Sequence, residues 1–257
     1  MTSVRQRLIV NGYKMKIPIM KDIRQGEEGF FTKELNQYLY RKSMASWPQD
    51  RIIRPSQITE CVRKLCCILL QMGVEEESIT PRIQRIFDNG NSVHKRYLTQ
   101  YLPKLGFVAQ LYYELKNGKL VAKDFIEQTI ENKDYWLRGS PDAVIFNPKD
   151  GLNYVFELKS MNERGFLPLT QPSWEYTAQV HLYMFLTDTP RALLFYENKN
   201  DQDVKEFAIM QDPAIMNRLL TKIRTIQKYV MEYEETKQLP ECEFGKSVCK
   251  FCFPGTK

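Results

Sequence analysis

The sequence has little histidine, little tryptophan and no long apolar run. Of its 257 residues, two are histidine (His94 and His181) and three are tryptophan. No apolar stretch approaches the ~18 residues of a membrane span, so no spanning helix and no membrane partner are expected. Gly 12 and Pro 13 are too few for a collagen-like or low-complexity chain. A composition of 43% hydrophobic and 26% charged residues is also wrong for disorder. No internal repeat is present. At the start, Arg5 and Arg7 are followed only by Leu8-Ile9-Val10, too short for a signal peptide. The expectation is a cytoplasmic protein, or one working in a host's cytoplasm if phage-encoded. In that setting six cysteines are poor disulfide material and better suited to metal ligation, redox chemistry or core packing. Lys plus Arg exceeds Asp plus Glu, 37 to 31, leaving a net charge of +6. Such mild basicity favours anionic partners such as nucleic acid, although many enzymes share it.

The pattern along the chain changes once. Residues 1–29 are polar and mixed and read as a loose arm. A helix is predicted over Thr32–Ser43, completing an N-terminal segment of residues 1–54. Ser56 is a candidate N-cap for a second helix with Ile58, Cys61, Val62, Leu65 and Leu69 on one face. Thr80-Pro81 opens a third, running to about Leu102 and interrupted at Gly90, with Ile83, Ile86, Phe87, Tyr97, Leu98 and Tyr101 inward. From Phe107 strands take over: Phe107–Leu115, Leu120–Ile130, Tyr135–Phe146 and Tyr154–Met161. A helix over Ser173–Leu186, strands over Arg191–Glu197 and Val204–Met210, and a long amphipathic helix over Pro213–Lys237 follow. Helices flanking a mixed sheet make residues 55–257 one α/β or α+β domain, with helical additions and a Cys-rich tail.

The chemistry concentrates between Gly139 and Lys159. If the strands around Lys149-Asp150 form a hairpin, Phe146 faces Asn153 and, four residues on, Asp142 faces Glu157. Opposed residues share a face with Cβ atoms ~4.5–5.5 Å apart, so the two carboxylates converge. They repel unless a cation lies between them, and hard oxygen ligands select Mg²⁺ or Mn²⁺. Lys159 shares the Glu157 face, whereas Phe156 and Leu158 point into packing. An ammonium beside a metal-bound carboxylate pair suits phosphodiester hydrolysis. The bland alternative is a solvated charged hairpin. Against it, Ala143–Phe146 and Tyr154–Phe156 are apolar on both faces, as in central strands.

These residues resemble the PD-(D/E)XK nuclease superfamily, matching its Pro-Asp at Pro141-Asp142 and its Glu-x-Lys at Glu157–Lys159. Two further motifs resemble relatives of the nuclease domain of the RecB helicase-nuclease. Gly90-Asn91-Ser92-Val93-His94 matches their Gly-x-x-x-His, and Gln179 with Tyr183 matches their Gln-x-x-x-Tyr. The resemblance implies a restriction-endonuclease-like core with His94 as a metal ligand. It also implies the backbone carbonyl of Leu158 as a possible further ligand, and Gln179 and Tyr183 positioning the nucleic-acid backbone. Without it, His94 among aromatic residues reads as a core histidine and Gln179/Tyr183 as a surface pair. His181 reads as structural.

Cys242, Cys249 and Cys252 close the chain, one thiolate short of a full metal site. Cys61, Cys66 and Cys67 are candidates for the fourth. Ser56 to Lys64 resembles the Ser-x4-Cys-x-Arg-Lys element of iron–sulfur members of the superfamily, which include CRISPR-adaptation and AddB-type nucleases. Val62 stands where proline is often found. The resemblance implies a [4Fe–4S] cluster on Cys61, Cys242, Cys249 and Cys252. Structural Zn²⁺ on the same residues, and free thiols, are the alternatives, and Cys66 and Cys67 read as core.

The reading is a Mg²⁺- or Mn²⁺-dependent DNA exonuclease acting on single strands or DNA ends in recombination, repair or defence, with recombination or helicase proteins as candidate partners. Asp142, Glu157 and Lys159 are its catalytic residues. Tyr112, Tyr113, Trp136, Trp174 and Tyr176 are candidates for base stacking, with core packing the default. Ser160 and Arg164 border a loop that could line a DNA path. Two alternatives are a non-catalytic nucleic-acid-binding protein on the same fold and a zinc-stabilised partner-binding subunit.

Overall fold

Residues 143–210 supply the β-branched and aromatic runs that build a central sheet, seen here in a computed structural model. The structure describes residues 8–10, 13–15, 29–43, 51–72, 79–109, 113–117, 119–122, 129–244, 249, 251 and 252. The chain divides into two compact units, residues 1–45 with 79–84, and residues 46–78 with 85–257. In the first, β1 (Leu8–Val10) pairs antiparallel with β2 (Tyr13–Met15), so part of the expected loose arm is a short ribbon. Its Leu-Ile-Val run has the side chains that favour strand pairing. Helix α1 spans Phe30–Ser43, two residues longer at its start than expected.

In the second unit α2 covers Val62–Leu69 with Cys61 at its N-cap. Ser56 is not a helix cap: it lies in the 3-10 turn Pro55–Gln57, a full turn upstream. Helix α3 (Pro81–Arg96) begins in the first unit, where Thr80 Oγ1 accepts from the Ile83 N–H (3.3 Å). Gly90 does not interrupt it. A mid-helix glycine costs only about 1 kcal/mol, within what tertiary packing overrides. The irregularity falls later, in a π-helical turn at Tyr97–Tyr101 before α4 (Leu102–Lys104). Val93 and Leu98 are buried, whereas Ile86, Phe87 and Tyr101, expected inward, are exposed.

The strands depart from the sequence pattern in both directions: the run expected over Tyr154–Met161 begins two residues earlier, at Leu152, and residues 110–112 and 123–128 of the first two expected runs lie outside the described residues. The strands are β3 (Val108–Ala109), β4 (Tyr113–Lys116), β5 (Lys119–Ala122), β6 (Ile130–Asn132), β7 (Leu137–Gly139), β8 (Ala143–Asn147) and β9 (Leu152–Met161). The run expected over Tyr135–Phe146 is cut twice. Tyr135 closes a 3-10 turn with Trp136 at φ 51°, and Ser140-Pro141-Asp142 separates β7 from β8. Proline has no N–H to continue a ladder. After β9 come α5 (Glu163–Phe166), α6 (Trp174–Thr187), β10 (Arg191–Asn198), β11 (Val204–Met210) and α7 (Pro213–Thr236).

The sheet order is β11-β10-β9-β8-β3, with β9 and β10 parallel and the other neighbours antiparallel. One face packs on α6 through Val155, Val180, Met184, Leu194 and Tyr196. The opposite side of α6, with Ala178 and Leu182, joins α2 and α7 in a second cluster. The other face of the sheet, with Ala143, Ile145, Phe156 and Leu158, is covered by Val93, Leu98 and Leu102. This mixed sheet flanked by helices is the α+β architecture expected.

Gly139, at the end of β7, is a point of close approach. A Cβ there would come within 2.7 Å of both Pro55 Cγ and Tyr183 Cε1. Gly139→Ala is therefore expected to destabilise the fold by about 1–3 kcal/mol, as overpacking does. Urea unfolding checks it: a midpoint equal to wild type would show that Pro55 and Tyr183 give way freely.

Candidate active site

The end of the β8–β9 hairpin sets the site. Its register pairs Ala143 with Phe156, so the next opposed positions are Asp142 and Glu157, as the hairpin argument expects. Strand β8 stops at Ala143, and the Leu158 N–H donates instead to Asp142 Oδ2 (2.7 Å). The other Asp142 oxygen, Oδ1, lies 2.9 Å from His94 Nδ1. Thus α3 brings the histidine, 48 positions upstream, against the first carboxylate.

Glu157 faces α6. Its Oε1 accepts from Lys159 Nζ (2.7 Å) and from Gln179 Nε2 (3.0 Å). Its Oε2 is buried and has no hydrogen-bond partner among the described residues. Gln179 Oε1 accepts from Lys159 Nζ (3.2 Å), and Gln179 Nε2 also donates to Tyr183 Oη (3.1 Å). The i,i+4 spacing of Gln179 and Tyr183 does place them on one helix face, and that face is turned inward. Lys159 Nζ also sits 4.6 Å from the centre of the Tyr176 ring, one turn earlier on α6.

Burial dominates the electrostatics. Asp142 is 7% exposed and Glu157 3%. Burial, and next the charge of Asp142, push Glu157 up to about 7, against the opposing pull of Lys159. Burial pulls Lys159 down, but the charges of Glu157 and Asp142 outweigh it and hold its pKa above the ordinary lysine value. In His94 burial is likewise outweighed, here by the hydrogen bond and charge of Asp142, so its pKa is raised. Two carboxylates out of water, one with an orphaned oxygen, are costly unless positive charge reaches them.

The expected residues do not all meet at one point. His94 touches Asp142, whereas Glu157 is turned to Lys159 and Gln179. Among the described residues, only the cysteines form a group of potential metal ligands with every ligand atom within 4.8 Å of the others. Ser160 is half-buried on β9, with its Oγ 3.8 Å from where a Cβ on Gly90 would lie. Arg164 is exposed on α5. His181 is structural: its Nδ1 lies 2.7 Å from the Thr177 carbonyl and its Nε2 accepts from the Asp212 N–H (3.1 Å). Of the stacking candidates, Tyr112 and the Tyr113 side chain lie outside the described residues, and Trp136 packs on the α2–α6–α7 core. Sequence reading missed the Arg96–Glu197 ion pair, in which Arg96 Nη2 contacts both carboxylate oxygens (2.6 and 2.5 Å). It ties the end of α3, two residues past His94, to β10. An arginine and a glutamate 101 positions apart leave no spacing signal.

The second centre joins the ends of the unit. Cys61 Sγ lies 3.6 Å from Cys242 Sγ and 3.8 Å from Cys252 Sγ, and the Cys252 N–H donates to Cys249 Sγ (3.4 Å). Burial, followed by hydrogen bonds with the neighbouring thiols, raises the Cys252 pKa strongly. Arg63 donates to the Pro240 carbonyl (3.0 Å), and Lys222 on α7 bridges the Glu60 carbonyl and Glu243 (2.7 and 2.8 Å). These contacts hold the tail on α2 and α7. Cys66 and Cys67 are buried and do not belong to the four-cysteine group, and burial pushes Cys66 up to about 12.

No family model matches the sequence, and no curated protein does. Solved structures do. An alkaline exonuclease, LHK-Exo, from Laribacter hongkongensis aligns with TM-score 0.50 and 14% identity, over 78% of this chain and 97% of that one. A phage-related exonuclease from Haemophilus somnus 129PT aligns with TM-score 0.50 and 14% identity, over 73% of this chain and 96% of that one. At that identity the likeness concerns the fold alone: the central mixed sheet flanked by helices is a fold shared with these two exonucleases.

Proposed function

We propose that the chain is a Mg²⁺- or Mn²⁺-dependent DNA nuclease, an exonuclease acting on single strands or DNA ends in recombination, repair or defence. The observation that carries the reading is the buried Asp142–Glu157–Lys159 constellation with the unpartnered Glu157 Oε2. The exonuclease activity named for both structural neighbours supports it.

The residues fit a hard divalent ion. Asp142, Glu157 and His94 offer oxygen and imidazole donors, and the orphaned oxygen lacks only a positive partner. The Leu158 carbonyl lies on the same side of β9 as its N–H, toward Asp142 and beyond the end of β8, and is a further donor. When bound, the ion polarises a phosphoryl oxygen and acidifies a water. The three side-chain donors do not all lie within 4.8 Å of one another, and a turn of Glu157 from Lys159 toward Asp142 would draw them together. Gln179, bonded to both Glu157 and Lys159, keeps each within reach during that turn. Lys159 orients the attacking water and offsets the charge growing on the phosphoryl oxygens. Water adds to phosphorus and gives up a proton to solvent, the bond to the leaving sugar oxygen breaks, and that oxygen takes a proton from solvent to leave as the hydroxyl. Tyr183, beside Gln179, positions the backbone, and Ser160 and Arg164 flank its path. End-labelled single- and double-stranded DNA with Mn²⁺ tests the reading: mononucleotide release from single strands is expected, and no cleavage of either substrate would overturn it.

The cysteine centre is, on this reading, a [4Fe–4S] clamp of the kind found in AddB-type and CRISPR-adaptation nucleases, with one ligand from α2 and three from the tail. One observation favours structural Zn²⁺ instead. Sulfurs around one tetrahedral zinc lie ~3.8 Å apart, close to the 3.6 and 3.8 Å found here, whereas a four-iron cluster places each thiolate on a different iron, farther apart. Metal analysis of anaerobically purified protein decides: a brown protein with iron supports the cluster, and a colourless one with zinc rejects it.

A further inference from the structure

Lys159 has three ammonium protons and, among the described residues, two oxygen partners, Glu157 Oε1 and Gln179 Oε1. Its third contact is the Tyr176 ring, 4.6 Å from Nζ to centroid. That ring is itself backed by Tyr196, whose centroid is 6.1 Å away and which is fully buried on β10 directly opposite Lys159 in the parallel register. Three elements thus build the wall behind the ammonium: β9 supplies the lysine, α6 the ring and β10 its support.

We propose that Tyr176 is the positioning residue for Lys159, acting through its ring face rather than its hydroxyl. This rests on the nuclease reading above. A cation over an aromatic face is attracted by the ring quadrupole, and the attraction grows as water is excluded. Its value here lies in what Glu157 has to do. If Glu157 turns toward Asp142, the 2.7 Å ion pair with Lys159 weakens, and the ammonium keeps only Gln179 and the ring. A third carboxylate in place of the ring would hold the lysine as firmly but would cancel the charge that the phosphate needs. A ring holds the cation and leaves its charge uncancelled.

The test compares Tyr176→Phe, which keeps the ring, with Tyr176→Leu, which removes it. On DNA with Mn²⁺ the Phe variant should match wild type, and the Leu variant should lose about tenfold in kcat with KM within about twofold. A second readout does not use catalysis: acetic anhydride acylation of Lys159, mapped by mass spectrometry against the exposed Lys149. Acylation of Lys159 should be several-fold faster in the Leu variant only. Equal acylation in all three proteins, or parallel changes in Phe and Leu, would overturn the proposal. If wild type cleaves no DNA the nuclease reading falls, and the acylation result alone decides whether the ring holds the lysine.

Discussion

Lys159→Ala and Glu157→Gln should each lower the rate of nucleotide release by about 10³-fold at saturating Mn²⁺. The two act for different reasons. Lys159→Ala removes the ammonium, and with it the donor to both Glu157 Oε1 and Gln179 Oε1. Its loss is in kcat, because DNA binds mainly through phosphates along the strand. Glu157→Gln keeps the shape and the Lys159 contact but removes a charge from the cation site, so more Mn²⁺ should be needed to reach its residual rate. Both variants should remain folded. Glu157→Gln should even gain stability in the absence of metal, since it relieves the burial and the Asp142 repulsion that push Glu157 up to about 7. Rates equal to wild type in Lys159→Ala would remove the mechanism, and both proteins at the background of a no-enzyme control would favour a non-catalytic nucleic-acid-binding protein on this fold.

Cys61→Ser should have the largest effect on stability. Cys61 stands 181 positions from Cys242 and 191 from Cys252, so the centre closes nearly the whole second unit. Among its described residues the tail buries only Pro240 and Cys249, and a metal centre substitutes for the missing core. Loss of one ligand is expected to empty the site and to cost about 5 kcal/mol, a fall of roughly 10–20 °C in Tm for a unit of this size. Cys66→Ala is the matched control. Cys66 is buried in the α2–α6–α7 core, so it should lose only packing and retain the full metal content. Metal stoichiometry and calorimetry on both variants check this. A Cys66→Ala protein without metal would mean that the tail cysteines use a different upstream partner.

Much of the site can be read from the chain because sheet geometry is periodic. The Asp142–Glu157 opposition follows from counting back along one hairpin, and the β8–β9 register agrees with it. Helical spacing likewise puts Gln179 and Tyr183 together. Where a contact depends on how separate elements pack, counting has nothing to offer. The partner of Gln179 on β9 and the place of Tyr176 over Lys159 are set by the tilt of α6 on the sheet. Helical spacing fails at Tyr101 because that residue lies in the π-helical turn Tyr97–Tyr101, whereas nothing in the spacing distinguishes exposed Ile86 from buried Val93, seven residues later on the same helix. The expected Gly90 break failed for a related reason: propensity is weak beside the packing that holds α3 in place. The run expected over Tyr135–Phe146 is too long because Pro141, with no N–H, ends the ladder between β7 and β8, whereas β9 begins two residues earlier than its pattern suggests.

The central claim is that Asp142 and Glu157 share a divalent ion, although in the structure Glu157 is turned toward Lys159. Crystals of the protein grown with Mn²⁺, with anomalous diffraction recorded at the manganese edge, test it most directly. The account predicts one peak about 2.1 Å from an oxygen of each carboxylate, with His94 beside it and Glu157 rotated off the lysine. A manganese ion held by Asp142 and His94 while Glu157 stays on Lys159, or no ion at the hairpin end, would contradict it.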